Sequence, residues 1–242
     1  MNKPEVYDKV MAINVDVQND FCPGGKLGVT EGNLVVPILN KVNRWVRKNE
    51  GHVVFTGDWH PKGSKHFKEQ GGPWDEHCIQ YTAGAAFPDE LELLRFDTVA
   101  YKGTGMEDDG YSGWQAGLTH DSPLYAVNTG RISGYAESVK EAVEEEANVY
   151  GVKRKRIALL IGGLATDYCV KATVLDALKR DDQLKERSGS QIGVFVLSDA
   201  IRAVDIEPGD GNKAIKEMKA AGAIFVTSQE VLDGKILEVE AA

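Results

Sequence analysis

The stretch Leu160–Val170, LIGGLATDYCV, decides how this chain is read. An apolar run ends in Gly162 and Gly163, where the backbone can turn sharply. Thr166 or Asp167 can then cap a helix whose inward positions, Val170, Thr173, Val174, Ala177 and Leu178, recur at helical spacing. A buried strand thus delivers Cys169 onto the first turn of a helix, where free N–H groups and the positive end of the helix dipole favour thiolate. A buried cysteine acting as a small hydrophobe fits the same turn, so the other strand ends must decide.

Outward from this unit, short β-branched or apolar runs alternate with longer segments of helical period. Six strands are predicted near Val10–Val15, Val53–Thr56, Thr98–Tyr101, Ile157–Ile161, Ile192–Leu197 and Ala223–Val226. Leu34, Val35, Ile38, Leu39, Val42, Trp45 and Val46 draw one helical stripe that Gly51 ends, with Pro37 tolerable in its first turn. Further helices are expected at about Ala136–Val149, after Cys169, and at Asn212–Ala221. The pattern is that of a three-layer αβα fold with a six-stranded, mainly parallel sheet. One domain spans residues 1–242, with Leu118–Tyr135 read as a loop insertion because it lacks periodicity and carries Pro123, Gly130 and Gly134.

With 42% hydrophobic and 27% charged residues, the 242-residue chain is ordinary for a soluble enzyme, and its net charge of −9 argues against nucleic acid or anionic membrane as a partner. Its one dense basic run, Lys153–Arg156, precedes a strand and reads as a solvated loop. No signal-type or membrane-length apolar segment is present, and three cysteines without a disulfide spacing fit a reducing, cytoplasmic setting. Cys22 and Cys78 read as structural.

In an open parallel sheet, ligands bind beyond the carboxyl ends of the strands. Asp16 follows the first predicted strand, Asp58 and His60 the second, Lys102 the third and Cys169 the fourth. Thiol, carboxylate and ammonium converging there make a nucleophile set: the carboxylate takes the thiol proton, and the lysine keeps the carboxylate ionised. Three of the five histidines, His60, His66 and His77, lie between Asp58 and His77. Asp58 and His60, two apart on an extended chain, share a face, and His66 and His77 can return from the loop. Carboxylate plus imidazole suits zinc, or iron or manganese with added waters.

These residues add up to a resemblance carried by VDVQNDFCPGGKLGV (Val15–Val29), TGDWHP (Thr56–Pro61), GGPWDEHC (Gly71–Cys78), YKGTG (Tyr101–Gly105), GLATDYCV (Gly163–Val170) and LSDAIRA (Leu197–Ala203). Along nearly its whole length the chain resembles the nicotinamidase and pyrazinamidase branch of the isochorismatase-like cysteine hydrolase family. The resemblance implies a catalytic triad of Asp16, Lys102 and Cys169, metal ligands Asp58, His60 and His77 with His66 as a further candidate, and one divalent metal, zinc first. It implies hydrolysis of nicotinamide to nicotinate and ammonia through a thioester, in NAD salvage, with pyrazinamide as a further substrate. It also implies an oxyanion hole of backbone N–H groups around Ala165 and Cys169, a cis peptide at Leu164–Ala165, and ring walls from Phe21, Trp74 and Tyr111. A homo-oligomer is left open. Two alternatives stand beside this reading: a sister amidase acting on ureido or N-carbamoyl compounds, and a non-catalytic metal- or ligand-binding module.

Overall fold

The computed structural model describes residues 4–116, 139–146 and 155–239. Among the described residues the strands are β1 (Glu5–Tyr7), β2 (Lys9–Val15), β3 (His52–Asp58), β4 (Thr98–Lys102), β5 (Arg156–Leu164), β6 (Gln191–Arg202), β7 (Ile224–Val226) and β8 (Leu237–Val239). The helices are α1 (Val35–Lys48), α2 (Val139–Glu146), α3 (Lys171–Ser188), α4 (Asp210–Ala220) and α5 (Ser228–Leu232). Six strands form one all-parallel sheet in the order β4-β3-β2-β5-β6-β7.

Both faces of the sheet are covered, which is why its central strands read as unbroken apolar runs. On one face Val10, Ala12, Phe55, Leu160 and Phe195 pack with Leu39, Val42 and Val46 of α1. On the other, Met11, Ile13, Leu159, Ile161 and Val194 pack with Val143 of α2, Val174 and Ala177 of α3 and Met218 of α4. Pro37 lies in the first turn of α1, as expected.

All six predicted strands are present, and two more join them. Strands β1 and β8 pair in a separate two-stranded sheet. Tyr7 docks its ring edge-on to Phe195 at 5.7 Å. At only three residues each, β1 and β8 leave no period to read. Arg156 is not the free end of a solvated run: it opens β5, pairs with Glu5 at 2.6 Å and lies over the Tyr7 ring. Strand β6 continues beyond Leu197 through the polar Ser198 and Asp199, which had hidden its extent. The 118–135 segment lies outside the described residues, as do residues 136–138 and 147–149 of the expected 136–149 helix.

The turn at Cys169 differs in detail from its sequence reading. Gly162 and Gly163 still belong to β5, and at Gly163 (φ +126°) a Cβ would lie 2.0 Å from the Val15 carbonyl oxygen, so the glycine lets β2 and β5 approach. The chain turns instead at Leu164–Ala165, whose peptide bond is cis. A π turn, Thr166–Val170, then leads into α3, closed by a Val170 N–H to Ala165 carbonyl bond of 3.1 Å. Neither Thr166 nor Asp167 caps it. The buried Asp167 carboxylate instead accepts the N–H groups of Val204 (3.0 Å) and Asp205 (2.9 Å), tying the turn to the loop after β6.

The strand order reverses between β2 and β5, so the crevice at the topological switch point lies between the ends of these two strands. Asp16 leaves β2 there, and Cys169 follows β5.

Candidate active site

Each strand end in the centre of the sheet contributes one group. Asp16, one residue past β2, has a left-handed backbone (φ +48°) fixed by its N–H to the Thr56 carbonyl at 3.1 Å. That conformation is uncommon outside glycine and tolerated best by residues such as Asp. Asp58 and Lys102 face each other as the last pair of the β3–β4 register. Cys169 lies on the π turn after β5.

These four side chains meet at the Lys102 ammonium. Its Nζ lies 2.8 Å from Asp16 Oδ2 and 3.5 Å from Cys169 Sγ, and it donates hydrogen bonds to Asp58 Oδ1 and the Gly110 carbonyl. The second oxygen of Asp16 accepts from the Thr56 hydroxyl at 2.7 Å. Lys102 is 1% exposed and Asp16 fully buried, so solvent screens none of this.

The electrostatics follow from burial and this geometry. Burial pushes the Asp16 carboxyl up, against the pull of Lys102, to about 6. For Asp58 burial acts the same way, but Lys102 and His60 prevail and hold the carboxyl well below its ordinary range. Burial favours a neutral amine at Lys102, yet the two carboxylates keep it charged. At Cys169 burial outweighs Lys102 and raises the thiol well above its ordinary value. Burial thus opposes the thiolate that the position of Cys169 near a helix start favours.

Beside this cluster stand three imidazoles. Ligand atoms of His60, His66 and His77 lie within 4.8 Å of one another, all buried. Asp58 Oδ2, the oxygen turned away from Lys102, lies 3.7 Å from His60 Nε2 and 3.8 Å from His77 Nε2. His60 and His77 present their Nδ1 atoms to the Gly103 and Asp75 carbonyls at 3.0 and 2.7 Å. A donated Nδ1–H there leaves Nε2 with a lone pair. Burial and the neighbouring imidazoles push His66 down to about 4, and burial lowers His77 despite Asp58. Two observations make this set fit a divalent metal. His60 Nε2 is buried with no hydrogen-bond partner among the described residues, and two buried carboxylates face one ammonium, leaving a negative excess that a cation beside Asp58 balances. Three nitrogens and one oxygen suit zinc, iron or manganese.

Aromatic rings surround the imidazoles. Phe21 lies 5.4 Å from His77 between centroids, Tyr111 lies 5.6 Å from His66, and the Trp74 indole N–H donates to the Tyr111 hydroxyl at 2.8 Å. Sequence reasoning missed Tyr168, whose ring meets Trp74 edge-on at 4.7 Å and stacks with Tyr111 at 6.2 Å. Its place immediately before Cys169 was the available signal. Ala165 and Cys169, the expected oxyanion-hole residues, begin and nearly end the turn that carries the thiol.

A parallel αβα sheet with thiol, carboxylate and ammonium buried at its switch point, beside a histidine-rich cation site, defines the class. The isochorismatase domain matches residues 10–106 and 117–230, and the chain belongs to that family. It is 32% identical over 230 residues to a nicotinamidase of Escherichia coli (strain K12), covering 88% of this chain and 92% of that one. The solved pyrazinamidase of Pyrococcus horikoshii in complex with zinc superposes with a TM-score of 0.67 at 32% identity, over 90% of this chain and 99% of its own. PnC1 of L. infantum in complex with nicotinate gives 0.69 at 26% identity, over 99% and 100%. No helix among the described residues is long and apolar enough to cross a membrane.

The geometry of the imidazoles makes a direct prediction. His60→Ala or His77→Ala should weaken divalent-metal affinity by more than the roughly 10–100-fold that loss of a supporting partner costs, so that the purified protein retains little metal after dialysis. Elemental analysis after dialysis checks it, and unchanged metal content would remove these residues from the ligand set.

Proposed function

We propose that this protein hydrolyses nicotinamide to nicotinate and ammonia, accepts pyrazinamide as well, and works through a Cys169 thioester in NAD salvage. The observation that carries the reading is the convergence of Asp16, Lys102 and Cys169 next to four buried metal-type donors and an aromatic enclosure. The nicotinamidase from Escherichia coli and the nicotinate-bound relative support the substrate class. A ureido or N-carbamoyl amidase needs the triad but gives the imidazoles and the aromatic rings no task.

Asp58, His60, His66 and His77 would hold the divalent metal, which when bound supplies a Lewis-acid grip on the pyridine nitrogen and so orients the ring. Phe21, Trp74 and Tyr111 wall the ring, and the carboxamide carbon then faces Cys169. In the resting site the thiol keeps its proton, because moving it to Asp16 is uphill in these surroundings. As Sγ attacks the carboxamide carbon, Asp16 takes the thiol proton, and the backbone N–H groups of Ala165 and Cys169 receive the developing oxyanion. Lys102 holds Asp16 as a carboxylate before transfer and stabilises negative charge on sulfur during it. Asp16 then returns the proton to the departing nitrogen, the C–N bond breaks, and ammonia leaves a thioester on Cys169. Water gives a proton to Asp16 and attacks the acyl carbon. Collapse breaks the C–S bond, Asp16 returns its proton to sulfur, and nicotinic acid leaves, losing its carboxyl proton to solvent as nicotinate.

Two outcomes follow. Cys169→Ala should abolish ammonia release while retaining fold and metal, and acid quenching of the unaltered enzyme during turnover should trap a nicotinoyl adduct on Cys169 by peptide mass spectrometry. Substantial ammonia release by the alanine variant would end the cysteine-hydrolase reading. Second, the base must be ionised to act, and its carboxyl titrates near 6, so kcat/KM should rise with pH through about 6 and then level. A pH–rate profile flat down to pH 4.5 would exclude Asp16 as the base.

A further inference from the structure

The parallel ladder between β2 and β3 ends at Val15 and Thr56, because Asp16 turns β2 away. Asp58, two residues further along β3, would then have its peptide N–H and carbonyl bare on that side. The side chain of Gln18 takes the place of the departed strand. Its Oε1 accepts the Asp58 N–H at 2.7 Å, and its Nε2 donates to the Asp58 carbonyl at 2.8 Å and to the Ala85 carbonyl at 2.8 Å. Gln18 is fully buried with all three bonds made, and Gly57 gives it room, since a Cβ there would lie 3.1 Å from the amide carbon.

Two residues on, the device recurs. The buried Asp20 carboxylate accepts the Cys78 N–H at 2.8 Å and the Lys26 N–H at 3.2 Å. The Cys78 carbonyl accepts the His60 N–H at 3.0 Å, so Cys78, the residue after His77, is held at both its N–H and its carbonyl. Cys78 takes a left-handed backbone (φ +43°). Gly84 again clears the space: a Cβ there would lie 2.1 Å from the Asp20 carboxylate. Asp16, Gln18 and Asp20 thus alternate along one short segment, the first at the reacting thiol and the other two bonded to the main chain at Asp58 and beside His77.

We infer that Gln18 and Asp20 are positioning residues of the metal site, one rigid segment setting the separation between the Asp58 and His77 ligand atoms; this rests on the metal reading above. The side-chain hydrogen bonds of both residues go to main-chain groups and not to the imidazoles or the reacting atoms. Their effect passes through backbone position, which a tetrahedral or octahedral ion senses within a few tenths of an ångström.

The test is the zinc affinity of the metal-free protein, measured by competition with a chromophoric chelator, for Gln18→Met, Gln18→Glu, Asp20→Asn and His60→Ala beside the unaltered chain. Near-UV circular dichroism and the thermal midpoint of each metal-free variant report the fold. Gln18→Glu keeps size and the acceptor but loses both donated bonds, and stands in if Gln18→Met does not fold. The expected result is about 10–100-fold weaker zinc binding by the Gln18 and Asp20 variants with near-UV spectra retained. KM for nicotinamide should rise more than kcat falls. Lowered thermal midpoints with unaltered zinc affinity would overturn the inference, leaving both residues as fold stabilisers. If only His60→Ala loses zinc, the inference fails and the metal site stands. If the unaltered chain and His60→Ala bind zinc alike, both fall.

Discussion

A lysine ammonium with no access to water dictates the centre of this molecule. Taking such a charge out of solvent costs several kcal/mol unless its donors are met by strong acceptors. Here they are met by Asp16, Asp58 and the Gly110 carbonyl, with the Cys169 sulfur at 3.5 Å. Because each partner comes from a different strand end or loop, the ends of β2, β3 and β4 and the π turn after β5 must converge for the lysine to be satisfied. Folding and chemistry thus share one requirement. The same arrangement carries more carboxylate than ammonium, and the excess lies on the side of Asp58 that faces His60 and His77.

Much of this fold was legible because its strands are buried on both faces and its helices on one. Val53–Thr56 and Ile157–Ile161 could be read as strands from unbroken β-branched and apolar runs, and α1 from a single stripe ending at Gly51. Reading weakened where local pattern and tertiary contact diverge. The strands β1 and β8 exist through Tyr7 packing on Phe195 and Arg156 bracing Glu5, contacts more than a hundred residues apart in sequence. The second half of β6 carries Ser198 and Asp199 because their hydroxyl and carboxylate bond to the β7–α5 connection at Val226 and Ser228.

At the site, residue type and place at a strand end were enough to single out Asp16, Asp58, His60, Lys102 and Cys169, which the structure brings to one crevice. His66 and His77 return from the loop to meet His60. Three things had no readable signal. Gln18 acts through an amide that imitates a strand, and amides of that kind occur on any surface. Gly110 contributes only a carbonyl, which no side chain announces. The protonation of Cys169 depends on how completely the fold excludes water, which its sequence position at a helix start does not convey.

The central claim is that Lys102 serves the reacting groups and does not merely fill a buried site. Single-turnover acylation of Cys169 by saturating nicotinamide, compared between the unaltered enzyme and Lys102→Ala, tests it most directly. The account predicts a rate lower by about 100-fold or more, a loss exceeding any loss of nicotinamide affinity, which is measured beside the metal content because Lys102 also donates to Asp58. Acylation at the unaltered rate in the folded variant would contradict it.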